Sequence, residues 1–343
     1  MKNLSIYKVT GLCMVLILSI FMAGCQSSQK AATNNAGNQT GNSVPSLFDI
    51  RFAHSTAIIG IDSFWVAQEL GFDKEENINL VDVGAISNNE LPASILAGQI
   101  DVAGKHVNRL VAAINAGAKL KAVVASTETS KEIPHMSFAT KVGSGISTAQ
   151  DFKGKKIGLT TYGGCMDGTP NAWLKKNGIA DPKSFYEVVV LPTEAKLMQA
   201  LDQGDVDIVG IHKDYDWIEN YGGIKVIFTD YDVWETLGGA CPYYFSQNFI
   251  DQHPDEIKRF VKVMAKTHNW INQNLEQARE ITARKANTDV KNIGKYYYAT
   301  DGVIDPASVQ VWIDIMTETG EIKSGIKVED VYTNEFNDYA KKS

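Results

Sequence analysis

The sequence carries one pattern twice. Leu91 to His106 aligns without a gap on Leu197 to His212, pairing Leu91 with Leu197, Ile95 with Leu201, Gly98 with Gly204, Asp101 with Asp207, Gly104 with Gly210 and His106 with His212. Each copy reads as a helix, a stop at glycine, and a strand that ends in Gly-x-His. The same offset sets the strand around Arg51 to His54 opposite Ile157 to Thr160. A chain built this way is predicted to fold as two lobes of one topology. Its 343 residues point the same way, because a single hydrophobic core stops growing at roughly 250–300 residues.

Within each half, short apolar runs alternate with helical patterns. Asp49 to Ala53, Ile78 to Val83 and Ile100 to Ala103 read as strands, Asp62 to Leu70 and Glu90 to Ala97 as helices. That alternation predicts βαβ units and a mostly parallel sheet. With 33 Lys+Arg against 40 Asp+Glu, and no basic stripe interleaved with aromatics, nucleic acid is excluded as the expected partner.

The first residues read as an export address. Lys2 and Lys8 precede an apolar run from Val9 to Phe21, short for a spanning helix, and Ala23 and Gly24 lead to Cys25. This end resembles a lipoprotein signal, with Met22 where leucine is usual. The resemblance implies cleavage of residues 1–24, lipid (palmitate) on Cys25 and a place outside the cytoplasmic membrane. The segment 25–46 is polar and small-residue-rich, with no large apolar residue before Val44, and reads as a flexible tether.

Four further segments carry a family resemblance: Phe64 to Phe72, Ala97 to Val102, Asp151 to Gly158 and Phe245 to Asp255. In this order they resemble the solute-binding lipoproteins of ABC importers, in the nitrate, sulfonate, taurine and thiamine-pyrimidine binding group. The resemblance spans about Phe48 to Lys285. It implies an α/β, two-lobed periplasmic-binding-protein-like (type II) fold with a hinge and an interlobe cleft. Crossings are expected near Pro134 to Thr140 and Cys241 to Phe245. Lobe one is then 47–135 plus 246–343, and lobe two 136–245. The implied partners are a small solute, an ABC permease with its ATPase subunit and, through the lipid, the membrane. The receptor is expected to be a monomer without a cofactor.

Ligands of open α/β sheets lie beyond the carboxyl ends of the strands, where helix N-termini point unpaired N–H groups. Those ends hold His54, Ser55 and Thr56; Ser87, Asn88 and Asn89; Lys105, His106 and Asn108; Thr160 to Asp167; Thr193; and His212 to Tyr215. The repeat puts His106 and His212 at equivalent ends. Gly163 and Gly164 permit close backbone approach to a ligand. Asp167 is either a ligand contact or a helix cap. Tyr162, Tyr215, Trp217, Tyr243 and Tyr244 are candidate aromatic walls or core. His135 stands near the first crossing, whereas His253 and His268 lie on polar helical stretches and are expected to be solvated.

Of four cysteines, Cys13 leaves with the signal and Cys25 is the lipid site, so the folded part keeps Cys165 and Cys241. Three readings stand: a disulfide, free thiols lining the cleft, or inert buried residues. Cys165 precedes a helix opened by Asp167, Thr169 and Pro170, where a thiol can meet an anion, a metal or an electrophile.

Three functions follow. The leading one is a non-enzymatic receptor for a sulfonate, a nitrate-like anion or a pyrimidine-type compound. The second is a receptor for a metal or metal chelate, using His54, His106, His212, Cys165 and Cys241, which have the donor types of a borderline ion but no tight spacing. The third is an enzyme with Cys165 as nucleophile and His212 as base, for which the sequence offers no orienting third group. A thiamine-pyrimidine synthase resemblance is weakened by the absence of that enzyme's cysteine-rich run. Pro254 to Ala286 is a helical stretch with Ile257, Phe260, Val261, Met264, Ile271, Leu275 and Ala278 as its buried stripe.

Overall fold

The computed structural model of the chain describes residues 47–56, 58–323 and 325–341. The signal, the tether and Cys25 lie outside the described residues. Among the described residues eleven strands follow in order: β1 (Phe48–Ser55), β2 (Ile78–Ile86), β3 (Val102–Gly104), β4 (Leu120–Glu128), β5 (Ser137–Lys141), β6 (Lys156–Leu159), β7 (Glu187–Val190), β8 (Ile208–Ile211), β9 (Ile224–Thr229), β10 (Cys241–Ser246) and β11 (Tyr297–Tyr298). They form a pair β1-β2, a four-stranded sheet β11-β4-β10-β3 and a five-stranded sheet β7-β6-β8-β5-β9. Helices join them, as the alternation predicts.

The sheets are mixed rather than mostly parallel. β1/β2, β6/β7 and β6/β8 are parallel, but β5 runs antiparallel to β8 and β9, and β10 antiparallel to β3 and β4. The cause is the passage between sheets. β5 and β10 are each the first strand after the chain changes sheet. Neither passage is the βαβ crossover that would return the chain parallel within one sheet, so the entering strand need not run parallel to its new neighbours. The passages occupy residues 129–136 and 230–240. β5 and β10 already lie inside the sheets the chain has moved to, so the second passage ends at Cys241, where sequence had put its start.

The repeat has a physical counterpart. Arg51 N donates to Asp101 Oδ2 at 2.8 Å and Asp101 N to Arg51 O at 2.9 Å; Lys156 N donates to Asp207 Oδ2 and Asp207 N to Lys156 O, both at 2.9 Å. In both copies the aspartate fastens the entry of one strand to its neighbour. Both Gly-x-His glycines are forced by close approach. A Cβ on Gly104 would sit 2.1 Å from the Tyr243 ring, and one on Gly210 2.9 Å from Leu159 and Phe138.

Distinct apolar cores fill the two halves. Ile50, Phe52, Phe64, Val102, Phe245 and Phe260 pack around the first sheets, and Phe138, Phe152, Ile157, Leu159, Leu174 and Phe228 around the five-stranded sheet. Pro254–Gln273 and Leu275–Lys285 are two helices broken at Asn274. His268 is not solvated: it is wholly buried, between the rings of Tyr243 (6.0 Å) and Tyr298 (4.8 Å), and burial pushes its imidazole down to about 3. His253 is half-buried against Phe48 and Phe249. Tyr243 and Tyr244 belong to the core rather than to an aromatic wall.

Candidate functional site

The two passages pack on each other. Asp230 accepts hydrogen bonds from the Thr129 hydroxyl and, at 3.0 Å, from Met136 N, so one buried carboxylate ties the second passage to both ends of the first. Burial pushes that carboxyl up to about 6. A Cβ on Gly239 would come within 2.4 Å of Thr129 Oγ1 and 2.6 Å of His135 Cβ. Two chain segments side by side, brought into close contact at Gly239, make a hinge geometry.

Beside this hinge the halves meet. His106 caps the helix Val107–Asn115, and Cys165 opens the helix Cys165–Lys176. Gly164 before it has φ 71° and ψ −153°, a region reserved to glycine, and a Cβ there would lie 2.5 Å from Asn108 Nδ2. Lys213 Nζ donates to Ile59 O (3.1 Å) and Asn292 O (3.3 Å), and Lys295 N to Asp214 Oδ2 (3.0 Å). Cys165 packs against cores of both halves. The halves are therefore closed on one another.

Three histidines and a thiol converge at the closure. The rings of His106 and His135 are 5.4 Å apart, those of His135 and His212 5.0 Å. One donor atom each from His106, His135 and Cys165 lie within 4.8 Å of one another, and Cys165 Sγ is 4.0 Å from His212 Nε2. His106 Nε2 faces Gly238 O at 3.0 Å, which also accepts from Trp312 Nε1 at 3.1 Å. His212 Nδ1 and its backbone N both reach Glu194 Oε1, at 3.0 and 2.7 Å. Both ring nitrogens of His135 are buried without a hydrogen-bond partner.

Electrostatics separate the three rings. Burial pushes His106 down to about 4 and His135 well below the ordinary imidazole value. Burial acts the same way on His212, but hydrogen bonding to Cys165 and Glu194 outweighs it and raises His212 to about 10. Glu194 is correspondingly held below the usual carboxylate range: burial opposes this and His212 prevails. Two neutral imidazoles thus face an imidazolium–carboxylate pair.

Of the residues sequence singled out, the structure brings His106, Gly164, Cys165 and His212 together. Asn108 and His135 stand beside them, and most of the others lie elsewhere. His54 pairs with Asp82 (2.9 Å), which also accepts from Trp65 Nε1 (2.8 Å), and Ser55 reaches Asn88 at 3.3 Å. His54, Ser55, Trp65 and Asp82 line a separate open cavity of about 480 Å³ on the first half. Ser87 lies in the turn that follows β2. Tyr162 is 67% exposed and Tyr215 40%. Asp167 is not the cap of its helix, whose N-cap is Gly164; it is buried in the first turn. Cys165 and Cys241 are both free thiols, not a disulfide. Cys241 lines a void of about 10 Å³ with Ala125, Ile304 and Val309, and burial raises its thiol to about 12. Sequence reasoning missed Glu194, which directly follows the singled-out Thr193, and placed His135 only near the first crossing.

The comparisons agree with this architecture. The family model described as NMT1/THI5 like matches residues 60–278, more than half of the chain. No curated protein matches the sequence. Among solved structures, the chain is similar to the periplasmic aliphatic sulphonate binding protein SsuA from Escherichia coli, with TM-score 0.67, 16% identity, and coverage of 85% of this chain and 99% of that one. It is similar to the periplasmic nitrate-binding protein NrtA from Synechocystis PCC 6803, with TM-score 0.66, 13% identity, and coverage of 86% and 89%. A ligand-binding component of an ABC-type import system from Staphylococcus aureus, with zinc bound, is similar at TM-score 0.64 and 14% identity, with coverage of 87% and 100%. These likenesses establish the two-lobed binding-protein fold. On the family model's match across most of both halves, the chain belongs to the NMT1/THI5-like family.

Proposed function

We propose that the protein is an extracytoplasmic solute-binding receptor of an ABC importer, enclosing a small solute between 47–135 with 246–343 and 136–245 and delivering it to a permease and its ATPase. The observation that carries this is the closure itself: donors from both halves converge beside the two passages that join them. In this reading the chain is a monomer held to the outer face of the membrane by lipid on Cys25. The neighbours described as sulphonate- and nitrate-binding supply the first solutes to test, with pyrimidines beside them. Native mass spectrometry of the full-length protein, isolated without chelator, tests it. A bound small-molecule mass lost on denaturation is the expected result, with small-angle scattering showing a more compact bound form. A form whose compactness no solute changes refutes the hinged receptor.

One observation favours a second reading, cysteine-dependent chemistry. The third group that sequence could not supply is present, because Glu194 orients His212, which faces the Cys165 thiol. Turnover of a captured solute, abolished by Cys165→Ser while binding persists, would establish it. Bound solute recovered chemically unchanged refutes it.

A further inference from the structure

The convergence holds more donor chemistry than closing two lobes requires. We propose that the solute taken into this cleft is a borderline transition-metal cation of the zinc, cobalt and nickel class, ligated by His106 Nδ1, His135 and Cys165 Sγ, with His212 Nε2 completing the set. This rests on the receptor reading and names its cargo.

Distances support it first. Four donors around a tetrahedral ion at about 2.0–2.3 Å lie about 3.3–3.8 Å from one another. The donors of His106, His135 and Cys165 already lie within 4.8 Å, and Cys165 Sγ and His212 Nε2 are 4.0 Å apart. Shifts of about 1 Å bring the first three donors into that range, and Cys165 already stands near it from His212.

The outer contacts fix the right lone pairs. A carbonyl only accepts, so Gly238 O holds the proton of His106 on Nε2 and leaves the Nδ1 lone pair. That lone pair accepts only a long capping bond from Asn108 N at 3.5 Å and faces Asn108 Oδ1, another acceptor unless the amide is turned, at 2.9 Å, so its strongest acceptor capacity is still free for a cation. Glu194 accepts from the Nδ1–H of His212, so Nε2, which faces Cys165, is the nitrogen that releases its proton when a cation displaces it. A carbonyl and a carboxylate behind two imidazoles are the supports that metal-binding histidines use.

His135 is the independent observation. Both of its ring nitrogens are buried with no hydrogen-bond partner, an arrangement that native proteins seldom leave uncompensated. A cation between the rings satisfies one nitrogen directly. Three imidazoles and a thiolate are the donor types of a borderline ion rather than of calcium or magnesium.

The ligands also explain why the ion is cargo. His106 comes from the first half, His135 from the hinge passage, and Cys165 and His212 from the second half. No half alone offers the set, so binding the ion and closing the hinge are one event, and opening releases it.

The test uses full-length protein stripped with chelator, then titrated with Co(II) and Zn(II). Native mass spectrometry is expected to show one ion per chain, and cobalt to give an intense tetrahedral spectrum with a thiolate charge-transfer band. Cys165→Ser removes that band and Cys241→Ser keeps it. Glu194→Gln weakens affinity about 10- to 100-fold through the ring it orients, with circular dichroism confirming that each variant is folded. Zinc is expected to make the protein more compact in scattering. No bound ion, or a band surviving Cys165→Ser, overturns the inference; if a sulfonate or pyrimidine then binds and compacts the protein, the receptor reading stands without it. An ion that binds without any change in compactness is structural, which overturns the cargo assignment.

Discussion

His268→Leu isolates the cost of hiding a titratable ring in the first half. The imidazole sits between Tyr243 and Tyr298, wholly buried, with its proton affinity depressed to about 3. In the unfolded chain it titrates near 6.5. Its neutral form is therefore fully compatible with folding above about pH 6.5. Below that the unfolded chain takes up a proton that the folded one refuses, until the pH approaches 3. Each unit in that window costs the wild type about 1.4 kcal/mol relative to the leucine variant, accumulating to about 2 kcal/mol at pH 5. For a domain of this size that is about 4 °C in melting temperature. Urea unfolding of both proteins at about pH 7.5, 6 and 5 measures it. The substitution carries its own packing cost at every pH, so the quantity of interest is the change in the gap. His106 and His135 titrate alike in both proteins and cancel. A gap that narrows, or reverses in the variant's favour, by about 2 kcal/mol is expected. Parallel profiles refute the argument, because they require the folded protein to accept an imidazolium at this position.

Gly164→Ala places a side chain where φ is 71° and a Cβ would sit 2.5 Å from Asn108 Nδ2, so it is expected to lower stability by about 1–3 kcal/mol. It also shifts scattering towards the open form; adding Asn108→Ala restores closure but not the stability, and failure of that restoration removes the contact from the account. Asp101→Ala and Asp207→Ala strip matching strand ties, each expected to cost about 1–3 kcal/mol in denaturant titrations. A change within error at both sites would mean that the repeated aspartates do not hold the strands. The Cys241 thiol, raised to about 12 by burial, is expected to resist iodoacetamide at about pH 8 in the folded protein and to react in urea, as read by peptide mapping.

The repeat made much of the architecture legible, because it repeats chemistry as well as pattern: Asp101 and Asp207 each fasten the entry of their own strand to the neighbouring one, and the glycines of the two Gly-x-His runs admit neighbouring rings and side chains. Strand direction was not legible where β5 and β10 begin, since direction there follows from the passage between sheets and not from local periodicity. At the site, His106 and His212 could be found because they end repeated strands. His135 could not be ranked, because it belongs to a passage with no periodicity of its own. Glu194 looked like an ordinary first-turn acid on a helix; its orientation towards His212 depends on packing between a helix and β8. His268 was legible in retrospect: it follows Met264 by four residues and precedes Ile271 by three, so it lies on the buried stripe despite polar neighbours along the chain.

The shared carbonyl of Gly238 gives the molecule an optical property. It accepts from the Trp312 indole as well as from His106, and the two rings meet edge to face at 4.4 Å. A charge arriving on His106, or a movement of the passage that carries Gly238, alters the hydrogen bond and the local field of a buried fluorophore at once. Trp312 is in this sense a native indicator wired to the site by a single oxygen. Its emission colour and intensity should follow occupancy and hinge motion in real time, in protein that carries no dye.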